Sequence, residues 1–247
     1  MKSAVLITGA LGGIGRALCE EFHSHGYKVI ALDKSPGKVP AHLLLQIDIR
    51  TIATNEEARS NLFGKVDSFL QKEGADLKGL INNAAIQILG ETNQLTSKDW
   101  QETLETNLLA PFFLSQLFLP QLEKAKGSIV NISSIHEKLT KPTFVAYATS
   151  KSALSGLTRS MAVDLGSKVR VNAICPAAIG TTMLAAGFAG KPDALASLQS
   201  AHPSGRIGMP EEVAQLARFL IAEAPPFLTG SCLGLDGGIA GRLHDPA

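Results

Sequence analysis

Short apolar runs alternate with longer amphipathic segments from one end of the chain to the other. Ala4–Thr8, Lys28–Leu32, Leu43–Ile47, Gly79–Asn82, Ser128–Ile132, Val169–Ile174 and Cys232–Leu235 read as strands. They are rich in Val, Ile and Leu without a clean polar alternation, the pattern of a parallel sheet covered on both faces. Helical patterns fall between them, near 13–25, 55–73, 97–123, 145–165 and 210–222. This alternation predicts an α/β fold: a doubly wound parallel sheet of about seven strands flanked by helices, with right-handed crossovers. The 247 residues suit one such domain over 1–247. No repeat or low-complexity tract interrupts it. The least regular stretch is 177–208, which contains Pro192 and Pro203. A long segment leaving the carboxyl end of a strand lies over the ligand crevice in such folds. We therefore expect 183–205 to act as a mobile substrate lid, the alternative being a plain surface excursion.

Composition narrows the function classes. Hydrophobic residues make up 45%, too many for a disordered chain. Lys+Arg 23 against Asp+Glu 22 leaves a formal net charge of +1, which provides no basic field for nucleic acid. Cys19, Cys175 and Cys232 are far apart with no C-x-x-C pair. That spacing gives neither a disulfide framework nor a zinc motif, so no metal is expected and a reducing, cytoplasmic setting is the default. The apolar run at Ala4–Ile7 stops at Thr8-Gly9, which suits a buried strand rather than a signal peptide. No apolar run approaches the roughly 18 residues of a membrane span.

Candidate chemistry clusters at strand ends. Thr8-Gly9-Ala10-Leu11-Gly12-Gly13-Ile14-Gly15 ends the first strand and opens a helix. Glycines there allow a tight turn and a close backbone approach to a pyrophosphate, with the helix N-terminus behind it. Alone the turn is weak evidence, but Asp33 closes the second strand, where an acid accepts from the adenosine ribose hydroxyls. A carboxylate there repels a 2′-phosphate, which favours NAD over NADP; Lys34 is a partial offset. Asp48, at the end of the third strand, could accept from the adenine amino group or simply form a turn; Ile49 beside it joins the cofactor set. Tyr147 and Lys151 stand four apart on one helical face, an arrangement in which an ammonium can lower a phenol's pKa from about 10. Ser133 and Ser134 follow the fifth strand, where ligands bind in open parallel sheets.

Together these residues resemble those of the compact short-chain dehydrogenases/reductases, over essentially the whole length. The resemblance is carried by TGALGGIG at Thr8–Gly15, Asp33, Asp48, Asn82-Asn83-Ala84-Ala85, Asn107, Ser134, Tyr147-x-x-x-Lys151, Asn172, Pro176, Ile179 and Thr181. It extends through Arg206-x-Gly208-x-Pro210-Glu211-Glu212-Val213-Ala214, Thr229-Gly230 and Asp236-Gly237-Gly238. It implies a Rossmann fold and an NAD-dependent oxidoreductase, NADP being less favoured, that acts on an alcohol or carbonyl. By position it makes Tyr147 the general acid/base, Lys151 its electrostatic partner and a ribose ligand, and Ser134 the residue that polarises the reacting oxygen. Asn107 would hold a relay water. Gly9, Leu11, Gly12 and Ile14 would flank the pyrophosphate and ribose, Asn83 the second ribose, and Ile179 and Thr181 the carboxamide. Family members often form tetramers or dimers through helices near 97–123 and 145–165 and around the last strand. Two positions depart from the family pattern: Ala85 and Ala177 stand where glycine is usual. Candidate substrate residues are Gln87, Ser134, His136, Tyr147 and Met183. The stretch Ser133–Glu137, with Pro142 and Phe144 after it, is similar to that of bacterial sugar dehydrogenases and points to a polar, hydroxylated substrate. The rival reading is a catalytically idle NAD-binding sensor or scaffold on the same fold.

Overall fold

The computed structural model describes residues 1–243. In chain order the elements are β1 (Lys2–Thr8), α1 (Gly13–Ser24), β2 (Lys28–Asp33), β3 (Leu43–Gln46), α2 (Arg50–Thr54), α3 (Glu56–Glu73), β4 (Ala75–Asn82), α4 (Ser97–Leu104), α5 (Ala110–Leu117), α6 (Leu119–Ala125) and β5 (Ser128–Ile132). There follow α7 (Val145–Leu165), β6 (Arg170–Pro176), α8 (Thr182–Gly187), α9 (Pro192–Ala201), α10 (Pro210–Ala222) and β7 (Cys232–Leu235). A π-helical turn at Glu105–Leu109 joins α4 to α5, and a 3-10 turn at Ile135–Glu137 follows β5.

The strands form one parallel sheet in the order β3-β2-β1-β4-β5-β6-β7. The order reverses between β1 and β4, which opens a crevice at the carboxyl ends of those strands. Every strand anticipated from the apolar runs is present. β1 explains why those runs lack alternation, since both faces of the strand are buried. Val5 and Ile7 pack with Leu18 and Phe22 of α1 and Val213 and Ala217 of α10. Ala4 and Leu6 pack on the opposite face with Leu62 and Val66 of α3 and Leu114 of α5. Each large side chain buried this way contributes about 1.5–3 kcal/mol of apolar transfer.

Two expectations about helices need correction. The segment 97–123 is not one helix but α4, the π turn, α5 and α6. Pro111 and Pro120 each sit in the first turn of a new helix, where a missing N–H costs nothing. The stretch 177–208 is also more regular than its composition suggests. Thr181 caps α8 by accepting from the Leu184 N–H at 3.3 Å, and Pro192 opens α9.

A buried polar chain crosses the middle of the sheet. Asn82 on β4 donates from Nδ2 to Asn131 Oδ1 on β5 at 2.8 Å. Asn131 in turn donates from Nδ2 to Thr158 Oγ1 on α7 at 2.9 Å. These bonds fix β4, β5 and α7 relative to one another just below the residues that follow β5.

Candidate active site

The glycine turn is shaped for close backbone approach. Gly9 adopts φ +63°, a left-handed conformation that a side chain resists. A Cβ on Gly15 would lie 2.0 Å from the Gly9 carbonyl oxygen, so only glycine lets α1 start this close to β1. Gly12 caps α1 with no side-chain hydrogen bond, and its first turn carries no acidic residue. The helix N-terminus therefore keeps its partial positive charge. Thr181 leans against this end, since a Cβ on Gly13 would come within 2.8 Å of the Thr181 methyl. Two predicted cofactor segments far apart in the chain, around Gly13 and Thr181, thus share one rim of the crevice. Ile179, buried beside them, is bridged to Gly208.

Asn83 holds the turn from the β4 side. Its Nδ2 donates to the carbonyls of Thr8 and Gly9 at 2.9 and 3.1 Å. The Thr8 hydroxyl accepts from the N–H groups of Asn83 and Ala84, each at 3.0 Å. Asp33 reaches the turn from the other side, accepting from the Leu11 N–H at 2.9 Å and from the Ser35 N–H at 2.9 Å. Asp48 is differently engaged. Its carboxylate is forked onto Arg50, with Nη2 at 2.6 Å, and accepts from the Arg50 N–H at 3.0 Å. The Arg50 hydrogen bonds hold that carboxyl below the usual range. Asp48 thereby starts α2, the turn-forming alternative, and Ile49 beside it is buried.

Ser134, Tyr147 and Lys151 converge at the carboxyl end of β5. Ser134 is buried in extended backbone and caps the 3-10 turn, its Oγ accepting from the His136 N–H at 3.2 Å. Tyr147 and Lys151 come from one face of α7, with Nζ 5.7 Å from the phenol ring centre. Lys151 is buried and donates to the Ile132 carbonyl at 2.7 Å. Burial pulls its ammonium down to about 8. The Tyr147 phenol is pushed up by burial, and the neighbouring Ser134 hydroxyl offsets part of that rise. This differs from the expectation that Lys151 lowers the phenol. The ammonium is turned toward the Ile132 carbonyl, and the cost of burying a phenolate dominates.

Asn107 sits inside the π turn and is fully buried. Its Oδ1 accepts from the Ile86 N–H at 2.9 Å, and its Nδ2 donates to the Ile86 carbonyl at 2.9 Å and to Ser150 Oγ at 3.0 Å. The side chain therefore braces the loop after β4 against α7, and a relay water would have to meet its backbone. Nothing in the sequence singles out Ile86 or Ser150 for this brace, because an apolar residue and a mid-helix serine carry no local signal.

On the substrate side, His136 stacks on Phe144 with ring centres 4.5 Å apart and meets Tyr147 edge-on at 5.7 Å. Its Nδ1 pairs with Thr140 Oγ1 at 3.1 Å. Burial, helped by Lys141, holds the imidazole down to about 4, so it is neutral at pH 7. Gln87 is exposed on the loop after β4. The side chain of Met183 lies outside the described residues. Thr143, just before α7, takes φ +71°, an unfavourable choice for a β-branched residue. Its carbonyl accepts from the Gly90 N–H at 2.9 Å, which anchors Phe144 next to it. Ala85 and Ala177 are not strained. Among the described residues the only non-glycine positive φ values belong to Lys126 and Thr143, and Ala177 donates normally to the Leu235 carbonyl at 3.1 Å.

Comparison with known proteins bears on the family and the fold. The family described as Enoyl-(Acyl carrier protein) reductase matches residues 9–240. The chain is 32% identical to 2-(S)-hydroxypropyl-CoM dehydrogenase 3 of Xanthobacter autotrophicus, covering 96% of each. The ligand-free aldohexose dehydrogenase of Thermoplasma acidophilum superimposes with a TM-score of 0.90 at 30% identity, covering 100% of this chain and 97% of that one. Two further neighbours share a TM-score of 0.85 and cover 98% of this chain and 100% of theirs. They are 4-hydroxyisoleucine dehydrogenase complexed with NADH, at 31% identity, and ElxO with NADP bound, at 28%. The chain belongs to the short-chain dehydrogenase/reductase family.

Proposed function

We propose that the protein is an NAD-dependent dehydrogenase or reductase that interconverts a secondary alcohol and its ketone, on a polar substrate such as a sugar, polyol or hydroxy acid. The observation that carries this reading is the convergence of Ser134, Tyr147 and Lys151 at the carboxyl end of β5, near the switch-point crevice whose rim is the glycine turn.

The crevice fits a dinucleotide. The uncapped start of α1 offers positive charge to a pyrophosphate, and Gly15 seats that helix close against the end of β1. Gly9, Leu11, Gly12 and Ile14 would hold it, with Asn83 on one side and Ile179 and Thr181 on the other. Asp33 at the β2 end supports NAD, because a 2′-phosphate would approach its carboxylate. Neighbours with bound NADH and with bound NADP both occur, so the preference rests on Asp33 itself. The cofactor, when bound, supplies or accepts the hydride.

The protein's part is orientation and proton transfer. Ser134 donates to the substrate oxygen and polarises it. Tyr147 takes the hydroxyl proton in oxidation and returns it in reduction. Lys151, with an ammonium already near its titration point, swings from the Ile132 carbonyl toward the ribose and phenol and stabilises the phenolate. Neutral His136 offers its free Nε2 to a substrate hydroxyl, while Phe144 and Tyr147 hold its ring. The short α8 and α9 over 183–205 serve as the lid. An intact set of Ser134, Tyr147 and Lys151 favours this enzyme over the idle-sensor alternative.

We further propose that the active form is a cytoplasmic homo-oligomer, a tetramer or dimer. Val163 on α7 and Phe227 before β7 are exposed apolar side chains on the elements that would pair. Among the described residues no helix is long and apolar enough to cross a membrane.

The test is a screen of sugars, polyols, hydroxy acids and keto esters, each with NAD(H) and NADP(H), followed through nicotinamide absorbance. Turnover of a hydroxylated substrate with NAD is expected. Tight cofactor binding with no turnover across the panel would favour the sensor.

A further inference from the structure

We propose that Glu137, Cys175 and Cys232 form a binding site for a thiophilic divalent cation of the Zn2+ class, built from residues other than the proposed catalytic ones but adjoining them. One carboxylate oxygen and the two sulfurs lie within 4.8 Å of one another. Tetrahedral coordination with Zn–S bonds of about 2.3 Å puts the sulfurs about 3.8 Å apart, within about 1 Å of the upper limit on their present separation.

Local spacing hides this cluster, because three separate elements build it. Cys175 lies on β6 and Cys232 on β7, in parallel register with Ala173 opposite Cys232 and Gly234 opposite Cys175. The two cysteines are thus diagonal neighbours on one sheet face. Glu137 comes from the 3-10 turn that Ser134 caps, and its side chain is only 5% exposed. Cys175 is buried and Cys232 is partly open, which gives a metal ion an entry route.

A disulfide is a poorer use of the pair. Parallel-strand neighbours two residues out of register are separated by one strand spacing and two residue rises, about 8 Å between Cα atoms, beyond the roughly 7 Å limit for a bridge without backbone movement. A cation between the sulfurs needs no such movement. Each thiol would release its proton on binding, and the two thiolates and the carboxylate would surround the ion. Two cations now stand at these donors: Arg159 Nη1 is 3.6 Å from Cys232 Sγ, and Lys138 Nζ is 3.5 Å from Glu137. The incoming ion would displace both. Cys232 Sγ also lies 3.8 Å from the Ser155 carbonyl, an oxygen within reach of the fourth position. Occupancy would pin the Ser134 turn to the last two strands and stabilise the folded state by mass action.

The test titrates the metal-free full-length protein with Cd2+ and reads the thiolate-to-cadmium absorption in the ultraviolet. One equivalent per chain is expected, displaced by Zn2+, with a rise in Tm. Cys175→Ser and Cys232→Ser should each abolish the saturable one-equivalent signal, while Cys19→Ser, in the separate α1 core, should retain it. Circular dichroism establishes that each variant is folded. Should either serine variant fail to fold, Glu137→Gln keeps both thiols and should weaken Cd2+ binding about tenfold or more. Absence of the band in the wild type, a full one-equivalent band in folded Cys232→Ser, or unchanged affinity in Glu137→Gln would overturn the proposal.

Discussion

The Leu11 N–H donates to Asp33 Oδ2 at 2.9 Å, tying the glycine turn to the end of β2. The same carboxylate that would read the ribose therefore also shapes the loop that would receive the pyrophosphate. Asp33→Ala removes both roles, whereas Asp33→Asn keeps an acceptor and removes the charge. We predict that Asp33→Asn moves the NAD/NADP ratio of kcat/KM toward NADP by about tenfold, about 1.4 kcal/mol, with little change in Tm. Asp33→Ala should relax the ratio too and lower Tm as well. An unchanged ratio in both variants would mean that another group reads the ribose.

The polar chain through the sheet makes a second prediction. Asn131→Ala leaves the buried Asn82 amide N–H without its acceptor, while the Thr158 hydroxyl loses the bond from Asn131 but still donates to the Leu154 carbonyl at 2.9 Å. One stranded buried polar group costs about 1–3 kcal/mol, so a loss of about that size is expected. Urea unfolding should show a lower midpoint at an unchanged slope. A loss below about 0.5 kcal/mol, within the range of ordinary surface substitutions, would show that the chain contributes nothing special.

His136 sets a pH dependence. Its folded pKa of about 4 lies below the ordinary 6.5, chiefly through burial and then through Lys141. Between those values the unfolded chain binds a proton that the folded chain refuses, so stability falls as pH drops from 6.5 toward 4. His136→Phe preserves the stack on Phe144 and removes the titration. Its Tm should decline less than that of the wild type over this window, and parallel declines would refute the assignment.

Much of this was legible in the chain because the signals were local. Val5 and Ile7 alternate with Ala4 and Leu6, and a strand buried on both faces has to be apolar at every position. The glycine turn was readable because β1, the turn and α1 are contiguous, and Gly9 and Gly15 show steric needs that only glycine meets. What stayed hidden depends on tertiary placement. The π turn around Asn107 is imposed by bonds to Ile86 and Ser150, and no periodicity announces it. Lys151 could be placed four residues from Tyr147, but not its hydrogen bond to the Ile132 carbonyl, nor the burial that raises the phenol. Cys175 and Cys232 meet only because β6 and β7 pair in a register that spacing in the chain does not reveal.

The central proposal is that the Tyr147 phenol moves the proton that accompanies hydride transfer. Tyr147→Phe keeps the ring against His136 and removes only the hydroxyl. The most direct measurement is single-turnover kinetics of this variant beside a titration of cofactor binding. The account predicts a fall of about 10²–10⁴-fold in the rate with cofactor affinity nearly unchanged. A rate close to that of the wild type would contradict it.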